Sequence, residues 1–452
     1  MNPEFVRNLR LECSAHRMIA MPLILGLLIA VGWMSGSMES AAATANTAIG
    51  ILLVLWGTRL AADSVLGEVV DRTWDSQRMS AIGPWAMTWG KLFGSTVYVW
   101  YGALACLPLA VIAGATQAAG DDFLPARLYA SGLLGQATAM FLSLLLLRGR
   151  PQRLRLRVTL TQALAIVATL PFIIGAVLYS EPSRASDHLS WYGVDIPTFD
   201  FLFASCLVFV AWAVFGCYRL MRLELQCRTG LVGWLAFSVF LPAYLAGIHI
   251  VVGRAGLPLP AGRLGAQVFV AFMTALALTY FAAFTEPKGV THLRGWLHDL
   301  GARAFGRATT RTPSWVVSGI VCLGCAGATV AAFLYGGSRD AMGFAVFTAA
   351  LLLFAVRDIA LLHALTLDSQ RQRGHLAALV YLAVLYILIP AFLHAADADE
   401  VVQAFVPTLD GNPVASTVPV AVQALAALGL AAGKWRRLAH RAPGPQPRGA
   451  AA

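Results

Sequence analysis

About twelve apolar stretches divide the chain, each of roughly the length that a helix needs to cross a bilayer. A hydrocarbon core about 30 Å thick requires roughly 20 mostly apolar residues in a helix. The stretches lie at residues 18–35, 44–64, 92–114, 127–147, 158–180, 200–220, 231–252, 264–285, 315–337, 343–366, 376–394 and 417–433. They predict an all-α fold, a polytopic transmembrane helical bundle with about twelve spans.

The composition excludes the soluble classes of protein. Of the 452 residues, 58% are hydrophobic and only 12% are charged, whereas about 25% are charged in a typical soluble domain. This chain therefore lacks the polar surface that a water-soluble globule of its size needs. A cytosolic enzyme, a disordered chain, a collagen and a disulfide scaffold are all excluded.

The distribution of Lys and Arg predicts the orientation of the spans. If the N-terminus is inside, the inner segments carry 26 of the 33 basic residues and the outer loops carry five. Cytoplasmic loops retain positive charge, so both termini are predicted to be cytoplasmic and the protein to be multi-pass in the inner (plasma) membrane. Topology thus accounts for the net charge of +10 without a nucleic-acid partner.

The first seventeen residues predict an amphipathic helix at the inner membrane surface. Phe5, Val6, Leu9 and Cys13 recur at helical spacing on one face, as in helices that lie in the headgroup layer of membrane lipids. We therefore expect residues 1–17 to precede the first span as an interfacial helix.

The remaining chain divides into two halves of similar plan. Residues 18–230 and 231–433 each contain six predicted spans, and a long inner loop follows the second span of each half. Parallel repeats of this kind are common in transporters. The working unit is then either a dimer of this chain or an internal pseudo-dimer. The basic tail, 434–452, is predicted to be disordered.

Two pairs of charged residues fall inside the predicted spans. Arg59 and Asp63 are four residues apart, so they predict a structural ion pair that lowers an insertion cost of about 2.5–3.5 kcal/mol per charge. Arg357 and Asp358 are adjacent, and we expect them to point in different directions and to contact different neighbours. No acid is predicted to lie deep in a span, which disfavours a proton-coupled transporter.

The segment 59–94 carries the most functional information, because charges of both signs and a tryptophan follow the second span. Acids there are electrostatically unfavourable, because the C-terminal end of the helix dipole is negative. Mixed charges with an aromatic residue indicate a surface that binds another protein. The candidate partner-binding residues are Glu68, Asp71, Arg72, Thr73, Trp74, Asp75, Gln77 and Arg78. The alternative is a solvated loop that has no partner.

At these residues the chain resembles the permease subunits of type-2 ABC exporters. In that family an amphipathic N-terminal helix precedes six spans, and the second span is followed by an acid, a basic residue with Thr, a short helix, a Pro and a Gly-Lys pair. The matching residues are Glu68, Arg72, Thr73, Pro84, Gly90 and Lys91. The resemblance covers residues 1 to about 230. It departs from the family at Arg72, where the family usually has Gly, and in having about twelve spans.

The resemblance implies that the short helix docks on a cytoplasmic ATP-binding subunit. The chain itself has no Gly-x-x-x-x-Gly-Lys-Ser/Thr phosphate loop, so a separately encoded ATPase must bind the nucleotide. The second inner loop, 286–314, contains Trp296, Leu297, Leu300 and Phe305. It is either a degenerate second coupling element or an interfacial helix.

No enzyme activity, cofactor or metal site is expected. Cys322-x-x-Cys325 lies in an apolar span without a neighbouring His, so core packing is favoured over zinc binding. The sequence favours the permease subunit of an ATP-driven ABC exporter that contacts membrane lipid and a separate ATPase. The alternative is an ion- or proton-coupled secondary transporter with two six-helix bundles.

Overall fold

The computed structural model describes most of the chain. Its described residues are 2–36, 38–116, 124–147, 154–178, 187–227, 229–248, 262–286, 290–336, 339–367, 374–409 and 413–441. Nearly all of them are helical, and the strands described form a single two-stranded hairpin, His188–Trp191 with Val194–Pro197.

The helices of the first part of the chain run from the N-terminus to residue 224. They are α1 (Pro3–Glu12), α2 (Ala15–Met34), α3 (Met38–Val70), α4 (Trp74–Arg78), α5 (Pro84–Gly94), α6 (Val97–Thr116), α7 (Leu124–Leu147), α8 (Leu154–Leu178) and α9 (Thr198–Glu224).

The helices of the second part begin after residue 230. They are α10 (Val232–Ala246), α11 (Gly262–Thr285), α12 (Val290–Gly301), α13 (Phe305–Arg311), α14 (Ser314–Gly336), α15 (Arg339–Thr366), α16 (374–395), α17 (Asp399–Val402) and α18 (Pro413–Arg441).

The all-α, polytopic membrane fold is confirmed. Within the described residues, 10 helices are long and apolar enough to cross a bilayer. The third predicted span corresponds to α6. Helix α5 precedes α6 at a bend of 54°, and if the two helices together count as one span, the number of candidate spans rises to 11. The seventh predicted span is the shorter α10, and residues 249–252 of that prediction lie outside the described residues.

The chain forms two compact units. Unit 1 comprises Met1–Leu189 and Asp195–Thr229, and unit 2 comprises Ser190–Val194 and Gly230–Ala452. The main division after Thr229 lies beside the cut that the loop plan suggests. Whether the two units are repeats stays a prediction.

Helix α7 is the centre of unit 1, where it packs against α3, α8 and α9. Close approach depends on small residues, because a Cβ at Gly132 would lie 2.5 Å from the Cβ of Leu53. A π-helical turn interrupts α3 at Ile51–Trp56. Such a turn breaks the regular backbone ladder, and Gln136 of α7 donates to the carbonyl of Leu53 at 3.0 Å.

Unit 2 has two packed helix pairs, α11 with α14 and α15 with α18. Phenylalanine rings fill part of its core: Phe269 contacts Phe333, Phe344 and Phe347. Helix α18 continues to Arg441, so residues 434–441 of the predicted disordered tail are helical. The rest of that tail, 442–452, lies outside the described residues.

Candidate functional site

The second predicted span ends in a hydrogen-bonded turn at Arg72. The Thr73 N–H donates to the Glu68 carbonyl at 2.9 Å and the Arg72 N–H donates to the Val69 carbonyl at 3.3 Å. This pattern is a Schellman motif, whose left-handed residue is usually Gly. Arg72 occupies it with φ +58°. The turn ends α3 and directs the chain into the short helix α4.

An ion cluster lies directly beside this turn. We call it the inner charge cluster and define it as Glu4, Arg7, Glu68, Gln77 and Lys91. The Lys91 ammonium donates to both Glu68 and Glu4, with a Nζ–Oε1 distance of 3.4 Å to Glu4. The guanidinium of Arg7 donates to Glu68 at 2.7 Å, and the amide of Gln77 donates to the same Glu68 oxygen at 2.5 Å.

The cluster balances its charges, with Lys91 and Glu4 buried and Arg7 partly exposed. Lys91 is 1% exposed and Glu4 is 3% exposed. The Lys91 ammonium also lies 3.5 Å from the Ser64 carbonyl, so its three N–H donors have three acceptors. With two cations and two carboxylates, the cluster has no net charge. Burial of these groups is tolerable because each is paired and hydrogen-bonded.

Helix α1 reaches the cluster because α5 presents glycines to it. A Cβ at Gly90 would lie 2.6 Å from the Cβ of Glu4, and a Cβ at Gly94 would lie 2.9 Å from the Cβ of Asn8. The Asn2 side chain accepts from the Glu4 N–H at 3.1 Å and donates to the Ala86 carbonyl at 2.5 Å. It therefore caps α1 and attaches it to α5.

The contact with α5 changes the interpretation of α1. The sequence predicts an interfacial helix whose apolar stripe is its buried face. The structure buries Glu4 completely, whereas Phe5, Val6 and Leu9 are only half-buried. The spacing of apolar residues does not predict this contact, because it reflects hydrophobicity and not charge pairing. The Gly-x-x-x-Gly spacing of α5 is the signal that indicates a close helix contact.

The eight candidate partner-binding residues separate into inward and outward sets. Glu68 and Gln77 belong to the inner charge cluster, and Trp74 is buried with its ring centroid 5.3 Å from the Lys91 ammonium. Arg78 donates to the carbonyl of Glu224 at 3.0 Å. The outward set is Asp71, Arg72, Thr73 and Asp75, all exposed.

The inward set attaches the loop to the core of unit 1. Trp74 packs in a cluster with Met87, Met140 and Met221, which belong to α5, α7 and α9. Helix α4 is therefore held at its inner side by an aromatic anchor and at its C-terminal end by Gln77 and Arg78, which donate to Glu68 and Glu224. The outward side remains a surface of mixed charge.

The predicted intramembrane pair lies on an exposed side of α3. Arg59 and Asp63 are one turn apart, and both are exposed. Their role as an ion pair stays a prediction.

The second inner loop folds as two helices, α12 and α13. Asp299 is buried and accepts from Arg311 at 2.7 Å, with the Arg307 guanidinium 3.6 Å away. Leu297, Leu300 and Phe305 are exposed. The loop thus combines an internal ion cluster with an apolar surface, and both of its predicted roles remain open.

Unit 2 contains a second buried charge cluster that the sequence did not predict. We call it the span cluster: Tyr280, Arg357, Asp358, Tyr386 and Gln423. Arg357 Nε donates to Asp358 at 2.9 Å, which contradicts the expectation that these adjacent side chains point apart. Both tyrosine hydroxyls donate to the other carboxylate oxygen at 2.8 Å. Arg357 Nη1 donates to Gln423 at 2.7 Å.

The span cluster also places a buried acid within a predicted span. Asp358 is 3% exposed and Arg357 is 1% exposed, within the membrane-crossing segment Ala341–Thr366. Sequence inspection missed the arrangement because the five residues lie on four helices.

The described residues contain no group of three or more His, Cys, Asp or Glu side chains that could hold a metal ion. His394 contacts Asp399 at 2.6 Å.

The chain has no detectable relative in the comparisons with known proteins: no family model, curated protein or solved structure matches it. The fold and its sites therefore define a class only, a multi-pass α-helical membrane protein with one buried charge cluster beside an inter-span loop and another within a span.

Proposed function

We propose that this chain is the membrane-spanning permease subunit of an ATP-driven ABC exporter in the inner membrane, coupled through α4 and its flanking turn to a separately encoded ATPase. The observation that carries the proposal is the division of the loop after the second span into an anchored inner side and an exposed charged side. A solvated loop without a partner has no need for such anchoring.

The anchored residues also connect α4 to the helices that flank it. Glu68 ends the second span, Lys91 lies in the helix before the third span, and Glu4 and Arg7 belong to α1. All four meet in the inner charge cluster, so a displacement of α4 acts on three helices at once. In the proposed mechanism, ATP-driven closure of the partner pushes on α4 and shifts the spans between inward and outward openings.

The conformation of Arg72 supports the resemblance to type-2 exporters. That family usually has Gly at this position, and the backbone of Arg72 has φ +58°, a conformation that favours Gly. Arg72 thus differs from the family in residue type but has the backbone conformation that Gly usually provides.

The test reverses charge on the outward set alone. The double variant Asp71→Arg/Asp75→Arg leaves the inner charge cluster intact, so insertion and thermal stability should match the wild type. When the chain is expressed with its neighbouring genes and purified, we expect the variant to lose a stoichiometric ATPase that the wild type retains. The matched control is Asp200→Arg, an exposed acid at the start of α9.

Retention of the ATPase by the double variant would reject α4 and its turn as the docking site. If the wild type purifies without an ATPase, the exporter proposal itself fails.

The second candidate is an ion- or proton-coupled secondary transporter, and Asp358 favours it. A carboxylate buried within a membrane span is a common element of proton-coupled transport. Vesicles that contain this chain alone would then move solute under a pH gradient, and Asp358→Asn would abolish that movement. An ABC permease without its ATPase would show no such movement.

A further inference from the structure

The span cluster leaves one strong hydrogen-bond donor unused. Arg357 Nε and Nη1 have acceptors, whereas Nη2 is buried and has no hydrogen-bond partner. Buried polar groups are nearly always hydrogen-bonded, and an arginine at membrane depth is costly. The unpaired guanidinium nitrogen in this position is therefore a buried donor that can bind an oxygen acceptor.

The chemistry of the missing acceptor follows from the guanidinium. Arginine nitrogens bind carboxylate and phosphate oxygens by short, charge-assisted hydrogen bonds. Asp358 already receives three hydrogen bonds, one from Arg357 and two from tyrosine hydroxyls. Its charge is thus shared between Arg357 and the tyrosines, which leaves the guanidinium able to attract a second anionic oxygen.

The surroundings favour an acid that carries an apolar body. The guanidinium carbon lies 4.7 Å from the ring centroid of Phe354 and 4.9 Å from that of Tyr386. Phe354 also packs with Ala350 and Val420 in an apolar cluster. A small free anion would lose its hydration here without gaining apolar contact, whereas an amphipathic acid gains both kinds of contact.

Access requires movement of the spans, because Arg357 is 1% exposed. Four helices meet at the cluster, and one of them, α16, contains a π-helical turn at Val384–Leu388 that includes Tyr386. Such turns are frequent at functional sites because the regular hydrogen-bond ladder is interrupted. In the described arrangement, Asp358 accepts a hydrogen bond from the guanidinium.

We propose that Arg357 binds the acidic group, carboxylate or phosphate, of an amphipathic molecule, and that Asp358 is the internal competitor which this group partly displaces. The proposal rests on the proposed transport function, for which it names the class of cargo.

The experiment measures binding to the full chain, without an ATPase, in micelles of an uncharged maltoside detergent. The probes are dodecanoate and dodecanol, which share a hydrocarbon chain and differ in the acid, with inorganic phosphate as a competitor. We expect the wild type to prefer dodecanoate. Asp358→Asn should tighten dodecanoate binding by about tenfold, because the competing charge is removed.

A double variant separates recognition from folding. Arg357→Gln/Asp358→Asn leaves no unpaired buried charge, so it should keep its thermal transition while losing the preference for dodecanoate over dodecanol. Asp299→Asn is the matched control, since it removes another buried acid paired with arginine but lies outside the spans. It should leave the preference unchanged.

Three results would overturn the proposal. Equal binding of acid and alcohol by the wild type would mean that Arg357 does not select for the acid, and so would a preference that persists in the double variant. Competition by inorganic phosphate as strong as that by dodecanoate would reject the amphipathic class. None of these outcomes depends on a partner ATPase, so the exporter proposal succeeds or fails separately.

Discussion

The two units bury charge in different places. In unit 1 the inner charge cluster lies where the second span ends, and it joins helices that flank a loop. In unit 2 the span cluster lies within a membrane-crossing segment and joins helices directly. Glu68 is still 14% exposed at its side chain, whereas neither Arg357 nor Asp358 exceeds 3%.

The location of each cluster determines what it can respond to. A cluster beside a loop can pass on a displacement of that loop, since its members belong to α1, α3, α4 and α5. A cluster within the spans has no solvent to replace a lost partner, so it responds mainly to a ligand that brings its own charge.

The largest effect should come from breaking the span cluster. Asp358→Leu leaves the guanidinium of Arg357 buried without its carboxylate, and we expect a loss of about 3–5 kcal/mol in the free energy of unfolding. Unfolding in mixed micelles with increasing dodecyl sulfate measures this. The double variant Arg357→Met/Asp358→Leu should recover most of the loss. A double variant no more stable than the single would show that the pair is not the cause.

The corresponding change in unit 1 should cost less. Lys91→Met leaves Glu4 and Glu68 without their shared ammonium, at an expected cost of about 2–3 kcal/mol because Glu68 retains some solvent. Faster proteolysis of α1 should accompany the loss. Lys434→Met is the control, since Lys434 donates to the Ala364 carbonyl and has no acid partner among the described contacts. Equal costs for Lys91→Met and Lys434→Met would contradict the cluster.

The glycine contact between α1 and α5 can be tested without changing a charge. Gly90→Ala places a methyl group against Glu4 and should destabilise unit 1 by about 1–3 kcal/mol through overpacking. Gly83→Ala is the matched control, because a Cβ there meets nothing within 4 Å. The same unfolding assay compares them. Similar stability of the two variants would indicate that α1 does not pack on α5.

The smallest expected effect concerns the two loops that follow helices α3 and α12. Arg72 has φ +58° and Arg303 has φ +53°, each at the left-handed position after its helix. Replacing either arginine with Gly should stabilise its unit by about 0.5–1 kcal/mol, since Gly adopts this backbone without strain. Thermal transitions of both single variants report the effect. Destabilisation by Arg72→Gly alone would show that its side chain contributes more than its backbone costs.

The fold could be predicted from the sequence to the level of its spans. Each apolar stretch is helical over most of the residues described, because a backbone in lipid must satisfy its own hydrogen bonds. The bend between α5 and α6 and the π-helical turns in α3 and α16 were not predicted. At the turn in α3, Gln136 of α7 donates to the Leu53 carbonyl, and a contact between separate helices cannot be read from a local pattern.

The candidate site was predicted only as a segment. Mixed charge and a tryptophan located the loop 65–91, but the sequence treated Glu68, Trp74 and Gln77 as surface residues. The structure turns these three inward and leaves Asp71 and Asp75 outside. A local pattern shows which charges are present and does not show which of them find internal partners.

The multi-pass helical membrane fold follows from the order of the amino acids alone, because hydrophobicity is a local property of each stretch. Which charges are buried depends on how the helices pack. Lys91 meets Glu4 across 87 positions of the chain, and Tyr280 meets Asp358 across 78. Such pairs form only when separate helices pack, since burial of either partner alone would be too costly.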